Sequence, residues 1–364
     1  MIRIDEIYNH TFWPWIRSNR PETRMYFCDP FGHTGPEHLY NFGDDTVHEK
    51  RYVFFHDQEP VQIEAHRVLF DEVIQRNTDL HRHVAAPGTV VVSEQGKHIL
   101  ELESIYGWRS VYYFFHGWAC LDWYRGYDRT FLFPDPQHRP LATRTFMSPN
   151  RIVGGARDHR MLFLYHVIHN NLAHNHVSAP AVCPVEQQSI IDIAKRYCNT
   201  YPDIEQTLTT ANLPWLFQDE ATQQMTSCWL GNFVEATNSL IYVPTETVYF
   251  GQRMHITEKT FKAIALGMPF IMVAAAGSLE YMRSYGFRTF ADIWDESYDQ
   301  ETDDIVRLEK VIALLRDLDG LSDRERGEIQ RHVTPTVEHN WHHFCHGGLE
   351  QVLWPELIGM LNDI

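Results

Sequence analysis

The sequence predicts an α/β protein: two Rossmann-like domains facing across a cleft, followed by a C-terminal helical segment. Three observations predict it. At 364 residues, the chain has length for two domains at roughly 150 residues each. Its first half holds short apolar runs that each end in a polar cluster. Its second half alternates strand and helix signals, as a doubly wound domain does.

Taken in order, the runs of the first half are Tyr52-Val53-Phe54-Phe55 into His56-Asp57-Gln58-Glu59-Pro60, Thr89-Val90-Val91-Val92 into Ser93-Glu94-Gln95-Gly96, and Val111 to Phe115 into His116-Gly117. These β-branched and aromatic runs suit strands buried on both faces of a parallel sheet. Their carboxyl ends are where open α/β sheets hold ligands. In the second half, Thr145-Phe146-Met147 reads as a strand, Ser148 to Arg157 as a polar loop, His159 to Leu172 and Gln187 to Tyr201 as helices. Ser239 to Val243 reads as a strand, Glu258 to Leu266 as a helix stopped by Gly267, Pro269 to Val273 as a buried strand, and Leu279 to Tyr285 as a short helix stopped by Gly286. The tail from Val337 to Ile364 reads as helical, broken at Gly347-Gly348 and Pro355. The expected domains are 1–142, 143–335 and a terminal segment 336–364, with a hinge near residues 136 to 144.

Composition narrows the function classes. Hydrophobic residues make up 44% and charged residues 22%, a globular balance. The net charge of −17 argues against indiscriminate binding of nucleic acid or anionic membrane. It is unevenly spread: residues 291 to 330 carry 13 acids and 5 bases, whereas residues 141 to 170 carry four Arg and one Asp. No signal peptide is expected from the N-terminus, and Phe270 to Ala276, the longest apolar run, is far short of a membrane span. The six scattered cysteines form no C-x-x-C, which suits reduced thiols in a cytoplasmic setting. There is no G-x-G-x-x-G, P-loop or G-x-S-x-G.

Three constellations are suited to chemistry. In His255-Ile256-Thr257-Glu258-Lys259, Thr257 is placed as an N-cap and Glu258 and Lys259 fall in the first helical turn, a setting for phosphate. Arg151, Arg157 and Arg160 lie within ten residues between a strand and a helix, and arginine forks grip phosphate oxygens. Asp57 and Glu59 lie just past a buried strand, where burial raises a carboxyl pKa toward a useful range. Glu94, Asp122 and Glu246 compete for that acid/base role. For metals, the cluster His339, His342, His343, Cys345 and His346 lacks a second spaced ligand pair and reads as packing, and Asp317-Leu318-Asp319 reads as surface acids.

Thr245-Glu246-Thr247, His255-Ile256-Thr257-Glu258-Lys259-Thr260-Phe261 and Gly267-Met268-Pro269-Phe270 resemble the donor-binding stretch of α1,3-fucosyltransferases. Gly277-Ser278-Leu279-Glu280-Tyr281, Gly286-Phe287-Arg288-Thr289-Phe290 and Asp295-Glu296-Ser297-Tyr298-Asp299 resemble phage and bacterial fucosyltransferase-like glycosyltransferases more closely. The resemblance covers residues 240 to 300 well, 145 to 165 moderately, and the N-terminal third only in patches. It implies a GT-B fold and inverting, metal-independent transfer from a GDP- or UDP-sugar. It further implies that Glu258 binds the ribose, that Lys259 and Arg157 bind the diphosphate, and that Glu246 matches the Glu of F-E-N-S. Glu59 then resembles the general base, and His255 stands where the family has Tyr. The acceptor is a glycan or a hydroxymethylated base in phage DNA, the latter placing the enzyme in a host cytoplasm. Trp118, Trp123, Tyr124 and Tyr127 are candidates to stack it, or ordinary core residues. The rival expectation is a non-catalytic nucleotide- or sugar-binding protein on the same fold.

Overall fold

The computed structural model describes residues 7–28, 39–42, 51–81, 88–125, 140–150, 152–153, 157–180, 184–218 and 229–364. Within these the chain is α/β with a helical C-terminal segment. It divides into two compact units, Met1–Asp122 with Glu350–Ile364, and Trp123–Leu349. The terminal helices are thus shared between the units, whereas the sequence groups residues 336–364 as one segment.

The first unit is built on β1 (Thr23–Cys28), β2 (Leu39–Phe42), β3 (Arg51–His56), β4 (Gly88–Val92) and β5 (Arg109–Tyr112), in the order β2-β1-β3-β4-β5. β1, β3, β4 and β5 run parallel, with Met25 opposite Val53, Val53 opposite Thr89 and Val91 opposite Val111. β2 pairs antiparallel at the edge. Alternate residues of β3 serve opposite faces, as a period of two requires. Tyr52 and Phe54 join a core with Phe70, Val90, Val92 and Trp108, and Trp108 Nε1 donates to Tyr52 Oη. Phe55 instead stacks on Phe12, with ring centroids 4.8 Å apart. Helix α1 (Trp13–Asn19) follows a short π-helical turn, Tyr8–Phe12, and α2 (Arg67–His81), α3 (Lys97–Tyr106) and α4 (Phe115–Arg125) follow β3, β4 and β5.

The third expected run ends sooner than its composition suggests. Past β5, Tyr113 N still donates to the Val92 carbonyl, and the ladder ends after it: Phe115 N donates to Ser93 Oγ and Phe114 N to Glu356 Oε1. Phe115 then opens a helix.

In the second unit β7 (His176–Val177), β6 (Arg144–Ser148) and β8 (Ser239–Tyr242) form a parallel sheet in that order. Parallel bridges from Tyr242 to Phe270 and from Thr245 to Val273 extend it along the expected Pro269–Val273 run. Helices follow: α5 (Asp158–His169), α6 (Pro184–Tyr197), α7 (Ile204–Thr209), α8 (Phe233–Asn238), α9 (Glu258–Ala265), α10 (Ser278–Ser284), α11 (Asp304–Asp319) and α12 (Asp323–Cys345). α11 is capped by Asp303 Oδ1, which accepts from Ile305 N and Val306 N at 2.9 and 3.0 Å. α12 opens with a capping box of Ser322 and Glu325.

The last helix, α13 (Gly348–Asp363), belongs to the first unit except at its start. The expected break at Gly347-Gly348 is present, with Gly347 at φ +88°. The expected break at Pro355 is not: the proline sits inside α13. One lost backbone hydrogen bond is outweighed there by burial of Leu349, Leu353, Leu357, Met360 and Leu361 along one side. Among the described residues no helix is long and apolar enough to cross a membrane. Cys28, Cys120, Cys198 and Cys345 are free thiols.

Candidate functional site

In the second unit the polar groups gather past the carboxyl ends of β6 and β8. Ser148 and Asn150 follow β6. Ser148 Oγ donates to the Val243 carbonyl, and Asn150 bonds through its backbone N to Ser178 Oγ and through Nδ2 to the Ser178 carbonyl. Thr245 Oγ1 donates to Asn150 Oδ1. The loop after β8 is thereby fastened to the loop after β6.

Glu246 is fully buried, and its carboxylate is saturated. Oε2 accepts from Thr257 N at 3.2 Å and Thr257 Oγ1 at 2.6 Å; Oε1 accepts from Thr260 N at 3.2 Å and Thr260 Oγ1 at 2.6 Å. This corrects an expectation. Thr257 holds the N-cap position of α9, but its side chain makes no cap hydrogen bond. Glu246 caps the helix from outside instead. A carboxylate already sits where the α9 N-terminus was expected to offer N–H groups to a phosphate. Glu246 is therefore an anchor for α9.

Lys259 Nζ donates to Thr247 Oγ1, Thr257 Oγ1 and Glu258 Oε1 at 3.0, 3.1 and 3.0 Å. Glu258, Thr257 and His255 are buried. Arg160 was expected to grip a ligand, and it grips backbone. Its Nη1 donates to the Ile152 carbonyl at 2.6 Å and Nη2 to the Thr245 carbonyl at 2.9 Å. Burial, with Arg157 nearby, pulls its pKa down to about 9, still above neutrality, so the guanidinium keeps its charge.

His159, which the sequence reading passed over, lies at the centre. It is fully buried, and its Nε2 lies 2.8 Å from the Glu246 carbonyl. A carbonyl only accepts, so the proton is on Nε2 and Nδ1 carries a lone pair. The ring stacks on Tyr249, 4.9 Å between centroids, and Tyr249 in turn lies 4.4 Å from the guanidinium carbon of buried Arg307. Burial and the charges of Arg160, Arg157 and Lys259 hold its pKa well below the usual imidazole range. The ring stays neutral because it is buried, and the three cations add to that effect.

Arg157 differs from its neighbours. It precedes α5 at the N-cap position and is half-buried. Its guanidinium makes no hydrogen bond or ion pair among the described residues. Arg151 lies outside the described residues.

The first unit carries a second polar cluster, at the carboxyl end of β3. Asp57 is 1% exposed. Oδ1 accepts from Tyr8 Oη at 2.8 Å, and Oδ2 accepts from Tyr113 Oη. Gln58 Nε2 donates to Tyr8 Oη at 2.7 Å. Burial raises the Asp57 pKa to about 6, against the pull of the two phenols. Glu59, the expected base, is half-buried in the next turn. Glu94, a competing carboxylate, is buried and accepts from Val61 N at 2.8 Å. The sequence carried one signal for Asp57 over Glu59: it directly follows the buried run Tyr52 to His56. Tyr8 lies 49 residues away along the chain and carried none.

Among the described residues no group of three or more His, Cys, Asp or Glu is placed to hold a metal ion. In the histidine cluster, His339 and His343 donate to the Gly286 and Tyr285 carbonyls at 3.0 and 2.8 Å. Asp319 accepts from His174 and Asn175. No protein-family model matches this chain, and no curated protein or solved structure does either.

Proposed function

We propose that the chain is a glycosyltransferase of two Rossmann-like domains, the GT-B arrangement. It moves a sugar from a GDP- or UDP-sugar to an acceptor hydroxyl, with inversion and without a metal. One observation carries the reading: Arg157, which makes no hydrogen bond or ion pair among the described residues, precedes α5 in a cluster whose other cations, Arg160 and Lys259, are already held in place. Such a cluster favours a bound anion with several oxygens, because the fixed cations lower the potential energy of the anion without themselves reorganising. The diphosphate then belongs at α5 and Arg157, since Glu246 occupies the end of α9. Lys259 and Glu258 lie on the same cluster and serve the phosphate and the ribose hydroxyls.

As the glycosidic bond breaks, negative charge grows on the leaving diphosphate, and Arg157 and Lys259 stabilise it. A carboxylate then takes the proton of the attacking hydroxyl. Glu59 is the candidate because its place in Gln58-Glu59-Pro60 resembles that of the family's general base. The acceptor is a glycan or a hydroxymethylated base in DNA.

Calorimetric titration with GDP, UDP and their sugars, with and without chelator, tests this. The wild type should bind one nucleoside diphosphate family, and Arg157→Ala should bind it at least tenfold more weakly. Undiminished binding by Arg157→Ala refutes the donor assignment. Donor binding with no transfer to any hydroxyl acceptor favours the non-catalytic alternative.

A further inference from the structure

Lys259 has no hydrogen left to offer. An ammonium group carries three N–H bonds and no acceptor. Its three go to Thr247 Oγ1, Thr257 Oγ1 and Glu258 Oε1, at 3.0, 3.1 and 3.0 Å. An anion that takes a hydrogen bond from Lys259 must therefore displace one of these partners.

The three partners are not equal. Thr257 is buried, and its own hydroxyl proton is donated to Glu246 Oε2 at 2.6 Å, so its oxygen is set to accept from Lys259. Thr247 is neutral, and an incoming anion does not repel it. Glu258 meets the anion as a like charge. The side chains of Lys259 and Glu258 are 22% and 11% exposed, so solvent reaches both members of the pair. Glu258 also bears on the neighbouring guanidinium: burial and Arg157 lower the Arg160 pKa, and Glu258, ahead of Glu246, pulls it back up. Glu246 has both its oxygens bound by α9. Of the two carboxylates that act on Arg160, Glu258 is thus the one paired with a cation.

We propose that Glu258 is the internal counter-ion of this cation cluster, and that it makes the site selective for an anion bearing hydroxyl groups over bare phosphate or pyrophosphate. The proposal rests on the reading of the cluster as an anion site. A bare anion breaks the Glu258–Lys259 pair and leaves a carboxylate beside it with a donor lost. A nucleoside diphosphate breaks the same pair but brings ribose hydroxyls. These donate to the displaced carboxylate and replace the hydrogen bond it gave up. Bare anions therefore meet the full repulsion, and the nucleotide offsets part of it. At the effective dielectric of a protein surface, one unit charge a few ångströms away changes affinity by about tenfold or more.

The test is calorimetric titration of the full-length protein with pyrophosphate, GDP and UDP at neutral pH. Glu258→Gln keeps the shape of the side chain and an oxygen for Lys259 but removes the charge. It should bind pyrophosphate at least tenfold more tightly than wild type. Its gain for the nucleoside diphosphate should be smaller, so the preference for the nucleotide shrinks. Glu258→Ala, which removes the acceptor as well, should gain at least as much for pyrophosphate. Arg157→Ala should weaken both ligands. Unchanged pyrophosphate affinity in both Glu258 variants, with the loss in Arg157→Ala present, overturns the counter-ion and leaves the anion site standing. An equal gain for pyrophosphate and nucleoside diphosphate overturns the selectivity. Undiminished binding of both ligands by Arg157→Ala overturns the anion site, and the counter-ion with it.

Discussion

At the end of β3 an acid is buried with phenols beside it and, among the described residues, no cation acting on it. Past β6 and β8, three cations gather around a buried neutral imidazole. Both clusters sit at the carboxyl ends of parallel strands, yet they resolve their charge differently. Burial raises the Asp57 pKa to about 6, and its neutral donors offset only part of that rise, so its charge is labile. Arg160 is met by backbone carbonyls, and a guanidinium starts so high that burial brings it only to about 9. The first cluster therefore exchanges a proton near neutrality, and the second keeps its charge for an anion. Burial alone does not decide what a polar cluster does; the intrinsic pKa of the buried group does.

Variants that break one cluster without touching the other sharpen this contrast. The largest effect is expected from Glu246→Ala. It leaves Thr257 N and Thr260 N without their acceptor at a buried helix end, and it should lower stability by about 4 kcal/mol in denaturant unfolding. A loss under about 1 kcal/mol would mean that the four hydrogen bonds do not hold α9.

The next is a pH effect confined to the first unit. Asp57 rises from 3.8 to about 6 on folding, so the native state binds the proton more tightly than the unfolded chain. Its contribution to stability is greatest below pH 4 and is lost as pH rises through 6. That amounts to about 3 kcal/mol between the two ends. The wild type should show this fall relative to Asp57→Asn, whose amide does not titrate. Parallel stability curves for the two proteins would show that the carboxyl is not perturbed.

The smallest effect on stability belongs to Arg157→Ala, within about 0.5 kcal/mol of wild type in thermal unfolding, because the side chain has no described partner to lose. Its effect falls on anion binding instead, by tenfold or more.

Much of the framework was legible. Phe54, Val90 and Val111 lie in runs whose β-branched and aromatic content marked three of the parallel strands, and Glu258 to Leu266 declared α9 through its cap residue and stop glycine. β1 was not read, because Thr23-Arg24-Met25 carries two polar side chains into a buried strand. In the site, the cation cluster was legible as spacing, since Arg157, Arg160 and Lys259 open two helices. Which of them is committed was not. The backbone carbonyls that hold Arg160 and the carboxylate that caps α9 come from residues 8 to 86 positions away. Glu59 was read as the base from a resemblance, whereas the carboxyl that burial raises, Asp57, is two residues earlier and is held by Tyr8 and Tyr113.

The most direct test of the central claim is one calorimetric titration of nucleoside diphosphate into three proteins at neutral pH: wild type, Arg157→Ala and Asp57→Asn. The account predicts tight binding by wild type, binding at least tenfold weaker by Arg157→Ala, and wild-type affinity in Asp57→Asn. Equal affinity in wild type and Arg157→Ala, or a loss in Asp57→Asn alone, would contradict it.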